Sequence, residues 1–155
     1  MIAGDPNSKS PNTKAFSFLC RVDSEFHGPN DVEMDNLNIP RDCPRGILVS
    51  AKFPSCWDGI NLYKSDQSHM SYPVSSGALW GACPWTHPIR LPSIMVEYLF
   101  KTYEWAPGEV LQGKLAWANG DTTGYGVHAD FTNGWDTQVL QKALNDPTCS
   151  ADRDM

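Results

Sequence analysis

The chain has 155 residues, a formal net charge of -6 and an isoelectric point near 5.0, which fits a single domain over residues 1–155 with one moderate core. Twelve lysines and arginines stand against eighteen acidic residues, with no basic run anywhere, so nucleic acid is a disfavoured partner: broad phosphate contact needs concentrated positive charge. The longest strongly apolar stretch, around 94–100, falls far short of the roughly 20 residues of a membrane-spanning helix, and no membrane contact is expected.

The opening "MIAGDPNSKS" lacks the basic start and apolar run of a signal peptide, so the chain reads as a mature or truncated piece, or as one made in the cytosol. Twelve prolines and twelve glycines break long helices and favour short strands joined by turns. Strands are predicted over "AFSFLCRV" (15–22), "GILVSAKF" (46–53), "SIMVEYLFKTY" (93–103), "GKLAWAN" (113–119) and "GVHADF" (126–131). The third is clearest: Ile94, Val96, Tyr98 and Phe100 alternate with Glu97 and Lys101, the period of a half-buried antiparallel strand. Connections 23–45 and 54–92 show little regular pattern, and loops this long are functional or tied down by disulfides. One helix is predicted over "DTQVLQKALND" (136–146), with Asp136 as N-cap, Val139, Leu140, Ala143 and Leu144 as an apolar stripe and Pro147 as the stop; it is expected to cover an edge or end of a sheet. The predicted fold is mainly β, an antiparallel sandwich or jelly-roll-like domain with a C-terminal helix and long disulfide-tied loops.

Cys20, Cys43, Cys56, Cys83 and Cys149 lie far apart with no C-x-x-C pair, which points to disulfides and an oxidising compartment. Buried, reduced cysteines in a cytosolic protein are the alternative. The odd count leaves at least one cysteine without a partner inside the chain.

The strings "MIAGDPN", "FPSCWDG", "SHMSYP", "CPWTHPIRLP" and "NGDTTGYGVHADFTNGWD", in this order, closely resemble a family of mostly fungal secreted proteins known as domain of unknown function 1996. The resemblance runs from Met1 through the terminal helix and Cys149. It implies a secreted, disulfide-bonded, β-rich domain, in some members linked to carbohydrate-binding cell-wall modules, and it implies no particular reaction. Members usually carry a further N-terminal segment with a signal peptide, more cysteines and a histidine-bearing motif, which is expected to be missing here. Where they tend to read His-Gly-Asp, this chain has His128-Ala129-Asp130.

Extended backbone over "GVHADF" puts His128 and Asp130 on one face and Val127, Ala129 and Phe131 on the other. A carboxylate beside an imidazole suits a general acid/base or a metal ligand with outer support; a surface pair bonded to nearby turns is the plainer alternative. His87 sits among Pro84, Pro88 and Pro92, whose fixed backbone places a side chain accurately, and Arg90 close behind offers a cation for a carboxylate, phosphate or sugar hydroxyl. The prolines can equally shape an edge strand. His69 and Asp58 share the long connection, and Asp58-Gly59 is also a turn dipeptide. His69, His87 and His128 are the candidate ligands for a divalent metal, at no diagnostic spacing; His27 is given no role. Asp121, Asp130 and Asp136 bracket the glycine-rich turn, and glycosidic cleavage needs two carboxyl groups; glycines 120, 124, 126 and 134 also fit a purely structural turn. Trp57, Trp80 and Trp85, with Asp58, Tyr125 and Trp135, are candidates for binding a flat ligand such as a sugar ring.

Three functions compete on this basis. The favoured one is an extracellular enzyme cleaving a wall polysaccharide, with His128 and Asp130 in acid/base roles, Arg90 orienting substrate, the tryptophans stacking it, and His87 and His69 as further catalytic candidates. A non-catalytic wall or glycan-binding module would use the aromatics alone. A small secreted nuclease would use the histidines and Arg90, against an acidic isoelectric point.

Overall fold

Among the residues described by the computed structural model, namely 1–5, 7–12, 14–25, 28–74 and 81–146, nine strands and two helices form. In chain order they are β1 (Ile2–Gly4), β2 (Phe16–Cys20), β3 (Val32–Met34), β4 (Ile47–Lys52), β5 (Cys56–Trp57), β6 (Met70–Ser71), β7 (Ile89–Arg90), β8 (Met95–Phe100), α1 (Thr102–Trp105), β9 (Gly126–His128) and α2 (Thr137–Asn145). Every strand pairing is antiparallel. His27, Trp80, Pro147 and Cys149 lie outside the described residues.

Side-chain alternation builds the central sheet, ordered β3-β2-β4-β8. Phe16, Phe18 and Cys20 pair with Ala51, Val49 and Ile47, so all six share one face. Strand β8 extends that face with Val96, Tyr98 and Phe100, and β3 with Met34. This is the core face. Ala3 and Val127 of the β1-β9 ribbon, with Leu37, Ile39, Leu111, Leu115 and Trp117, pack over it, giving a sandwich-like layering. On the opposite face Ser50 Oγ donates to Glu97 Oε1 at 2.7 Å across β4 and β8, as the alternation of β8 requires.

The third sheet, β6-β5-β7, lies within the long connection that showed no pattern, because two-residue strands carry no detectable period. Both long connections are closed by disulfides. Cys20–Cys43 spans 23 residues and Cys56–Cys83 spans 27; loops of that size constrain the unfolded chain by roughly 3 kcal/mol each.

Four predicted elements differ from expectation, the first being the strand over 93–103, which stops at Phe100 with α1 following from Thr102. Residues 113–119 form turns, with Lys114 N–H on the Leu111 carbonyl, Trp117 N–H on the Asp121 carbonyl and Gly120 N–H on the Trp117 carbonyl. Leu115 and Trp117 still reach the core, so apolar alternation survives without a ladder. Strand β9 ends at His128, since β1, its pairing partner, begins at Ile2. Helix α2 starts on Asp136, whose side chain accepts from the Gln138 and Val139 amides, but it buries none of its residues. Its stripe is therefore only half covered, with Leu140 and Ala143 partly buried and Val139 and Leu144 exposed.

The glycine-rich turn is fixed by packing. Gly124 has φ +83, and a Cβ there would lie 2.7 Å from Phe18 Cζ and 2.9 Å from Leu37 Cγ. Gly120 has φ +87 with nothing within 4 Å of its Cβ position. Gly120→Ala should cost only the left-handed backbone penalty, about 1 kcal/mol, whereas Gly124→Ala adds core overpacking of about 1–3 kcal/mol. Urea unfolding of the two variants checks the difference; equal midpoints would contradict it.

Candidate functional site

A groove of about 710 Å³ opens between the ribbon, the third sheet and α2. Met1 and Ile2 line it from the ribbon, Phe53 and Pro54 from the end of β4, and Leu91, Pro92 and Ile94 from the link into β8. Tyr63, Gln67, His69 and Met70 close one side, with Phe131, Trp135 and Leu140 on the other. Gln67 and His69 are its amide and imidazole; among the described residues no carboxylate, lysine or arginine lines it. A concave apolar surface with few polar groups is the usual build of a small-ligand pocket.

The wall carrying His69 is organised from its own sequence. Asp58 Oδ1 accepts from the Ile60 and Asn61 amides, both at 2.9 Å, and Oδ2 accepts from Asn61 Nδ2 at 2.7 Å. Trp57 Nε1 donates to the Asn61 carbonyl at 2.6 Å, pinning the same turn from the other side. The chain then reaches Gln67, which has φ 60 and is alone among described non-glycine residues in the left-handed region. Such a conformation costs on the order of 1 kcal/mol and persists only where the surroundings impose it. Here Gln67 N–H bonds the Lys64 carbonyl, Met70 N–H bonds the Gln67 carbonyl, and Ser68 N–H bonds Asp66. This tight turn presents Gln67 and His69 to the groove. The Nδ1 of His69 is buried without a hydrogen-bond partner, while its backbone carbonyl accepts from Asp58 N–H at 3.0 Å.

His87 braces this turn. Its Nε2 meets the Ser68 carbonyl at 3.0 Å and its Nδ1 meets Thr86 Oγ1 at 2.9 Å. A carbonyl only accepts, so Nε2 carries the proton and Nδ1 takes the hydroxyl's hydrogen in the neutral ring. Arg90, in β7, donates to the Gly81 carbonyl at 3.1 Å and to Ser93 Oγ at 2.9 Å. Neither residue lines the groove; both tie the third sheet and its loops.

His128 and Asp130 stand elsewhere. Both are exposed. His128 pairs with Ile2 in the ribbon and so shares a face with a residue that lines the groove, but neither it nor Asp130 lines the groove itself. Asp121 Oδ1 accepts from Thr123 N–H at 2.8 Å and Thr123 Oγ1 at 2.6 Å. Burial pushes its carboxyl upward, but the Thr123 hydrogen bonds prevail and hold it below the ordinary carboxylate range. Asp136 caps α2. Two of the three carboxylates flanking the glycine-rich turn are thus engaged with backbone. Among the described residues no three histidine, cysteine, aspartate or glutamate side chains converge as metal ligands, so His69, His87 and His128 do not assemble a centre.

Of the aromatic candidates, Trp135 lines the groove, Trp85 is 90% exposed, and Tyr125 is buried against a separate small cavity that Phe16 also lines. Sequence patterning missed Tyr63, Met70, Phe131 and Leu140 as groove residues. A signal existed for the first: Ile60, Leu62 and Tyr63 are large apolar residues inside an otherwise polar loop, and Tyr63 is 75% exposed. Phe131 was hidden because the predicted alternation runs past the point where β9 stops.

The family designated domain of unknown function (DUF1996) matches residues 1–135, and the chain belongs to it. No curated protein and no solved structure matches the chain. The family's description names no activity, so the geometry of the groove carries the functional argument.

The hydrogen bond from the Asn61 side chain, followed by those from the Asn61 and Ile60 amides, lowers the Asp58 carboxyl from 3.8 to about 2. A depressed carboxyl favours the folded turn above its ordinary value and loses that contribution as pH falls through about 2. Carboxyl-detected NMR should show Asp58 titrating near that lower value; a midpoint at the ordinary 3.8 would mean the turn is not held this way.

Proposed function

We propose that this domain is a non-catalytic binding module that takes an amphipathic small molecule, with an apolar body and one polar end, in the groove beneath Trp135. The observation that carries this is the lining: twelve of the fourteen residues around the 710 Å³ space are hydrocarbon, thioether or aromatic. Burying apolar ligand surface there contributes about 25 cal/mol per Å². Gln67 and the His69 ring supply the polar contacts for the ligand's end. A carboxylic acid or alcohol head on a hydrocarbon or terpenoid body fits this chemistry.

Polysaccharide cleavage is less well supported by the same lining. It needs a proton donor and an opposing base or nucleophile across one bond, and the groove offers a single imidazole. Phosphodiester cleavage would ask for cations on the wall, and Arg90 is bonded to Gly81 and Ser93. Glycan binding without chemistry is the second reading. It is favoured by the ring faces of Trp135 and Phe131, each 57% exposed, on which a sugar ring can stack. A working compartment outside the cytosol belongs to this proposal and is supported by the disulfides; among the described residues no helix is long and apolar enough to cross a membrane.

Tryptophan fluorescence titration with dodecanoate, alongside affinity electrophoresis on β-glucan, mannan and chitin oligomers, tests the reading. Saturable dodecanoate binding is expected, weakened about ten-fold or more by Trp135→Ala, as removal of a central aromatic anchor does. His69→Ala should weaken a fatty acid more than the matching alkane. Retention by a glycan without fatty-acid binding would favour the second reading. Release of reducing sugar, lost in His69→Ala, would overturn both.

A further inference from the structure

The two edges of the central sheet are unlike. Strand β3 is three residues long, and a short edge strand is a common guard against pairing with other chains. Strand β8 at the other edge is six residues long, contains no proline, and reads Met95-Val96-Glu97-Tyr98-Leu99-Phe100. Tyr98, Leu99 and Phe100 are 52%, 43% and 40% exposed, although Tyr98 and Phe100 belong to the core face. The layer that covers Phe18 and Val49 leaves them half bare.

The register tells which backbone groups are free. Phe53 N–H bonds the Ile94 carbonyl at 3.0 Å, and β4 and β8 continue with Ala51 opposite Val96, Val49 opposite Tyr98 and Ile47 opposite Phe100. Antiparallel alternation therefore turns the N–H and C=O groups of Val96, Tyr98 and Phe100 toward β4 and those of Met95, Glu97 and Leu99 away from the sheet. Among the described residues, no hydrogen bond to the main chain of Glu97 or Leu99 is formed on that outer side.

We infer that β8 is a homodimerisation edge, pairing antiparallel with β8 of a second copy about a two-fold axis at Leu99. The sequence is self-complementary in that register and poorly so in its neighbours. With Leu99 opposite Leu99, the outward amides and carbonyls of the two leucines bond reciprocally. Tyr98 then faces Phe100 on the core side, twice, and Glu97 faces Lys101 on the other side, twice. Sliding by two residues in one direction sets Tyr98 against Tyr98 and leaves Glu97 opposite Leu99, and by four in the same direction sets Glu97 against Glu97, a like-charge pair. Sliding by two the other way sets Phe100 against Phe100 and leaves Lys101 opposite Leu99. Lys101 at present reaches Glu104 at 3.1 Å on the surface, an exposed pair of the kind that contributes little and is readily exchanged. The dimer joins two four-stranded sheets into one of eight and covers the aromatic pair Tyr98 and Phe100, whose rings lie 6.4 Å apart.

Sedimentation velocity across micromolar concentrations tests this, with Cys149→Ser in every variant so that no intermolecular disulfide contributes, and circular dichroism to confirm folding. The expected result is a reversible dimer that either Glu97→Lys or Lys101→Glu weakens about ten-fold, since each sets like charges opposite one another at two symmetric places. The double exchange Glu97→Lys with Lys101→Glu should restore it. A chain that stays monomeric throughout overturns the inference, and so does a dimer that neither single exchange weakens. A double exchange that fails to recover the dimer overturns the register and with it the proposal.

Discussion

The contact between the Phe18 ring and Gly124 is the constraint on which the site depends. Phe18 lies at the centre of the core face, opposite Val49 on one side and Met34 on the other, and its ring tip occupies the space a side chain at 124 would need. The turn is held from below by that ring and from the side by Leu37 N–H on the Thr123 carbonyl. From it the chain emerges as β9, which takes up β1 in register. Asp5 N–H on the Tyr125 carbonyl, with the Met1 and Ala129 main chains bonded to each other, completes the ribbon. Met1, Ile2, Phe131 and Trp135 owe their places along the groove to this sequence of contacts.

The opposite wall rests on a different device. Cys56–Cys83 closes the long connection, and within it the polar side chains act on the backbone: Asp58 and Trp57 on the first turn, His87 on the second, Arg90 on the Gly81 segment. Side chains that looked catalytic by type are engaged as struts. What they support is an apolar surface, and this division between polar scaffold and apolar lining is the physical basis for preferring binding to chemistry.

Much of the scaffold was legible in the residues. The alternation of β2, β4 and β8, the Asp136 cap of α2 and the bridging of both long connections follow from period, capping chemistry and cysteine spacing. The site was less so. A groove assembled from segments as far apart as Ile2, His69 and Leu140 has no local signature, and two-residue strands have no period. Leu115 and Trp117 show the converse failure: apolar alternation reported which side chains go inward, but glycine and aspartate turn bonds decided the backbone. For His87 and Arg90 the residue types were informative only about hydrogen-bonding capacity; their partners, a carbonyl at Ser68 and another at Gly81, come from the tertiary fold.

On the proposed function, ligand enters the apolar groove and not the neighbourhood of the His128-Asp130 pair. Two-dimensional NMR of isotope-labelled protein titrated with dodecanoate locates the ligand directly. Saturable shifts are expected at the Trp135 indole, the His69 ring and the Met70 and Leu140 methyls, with His128 and Asp130 unmoved. Shifts centred on His128 and Asp130, with the groove resonances unchanged, would contradict it.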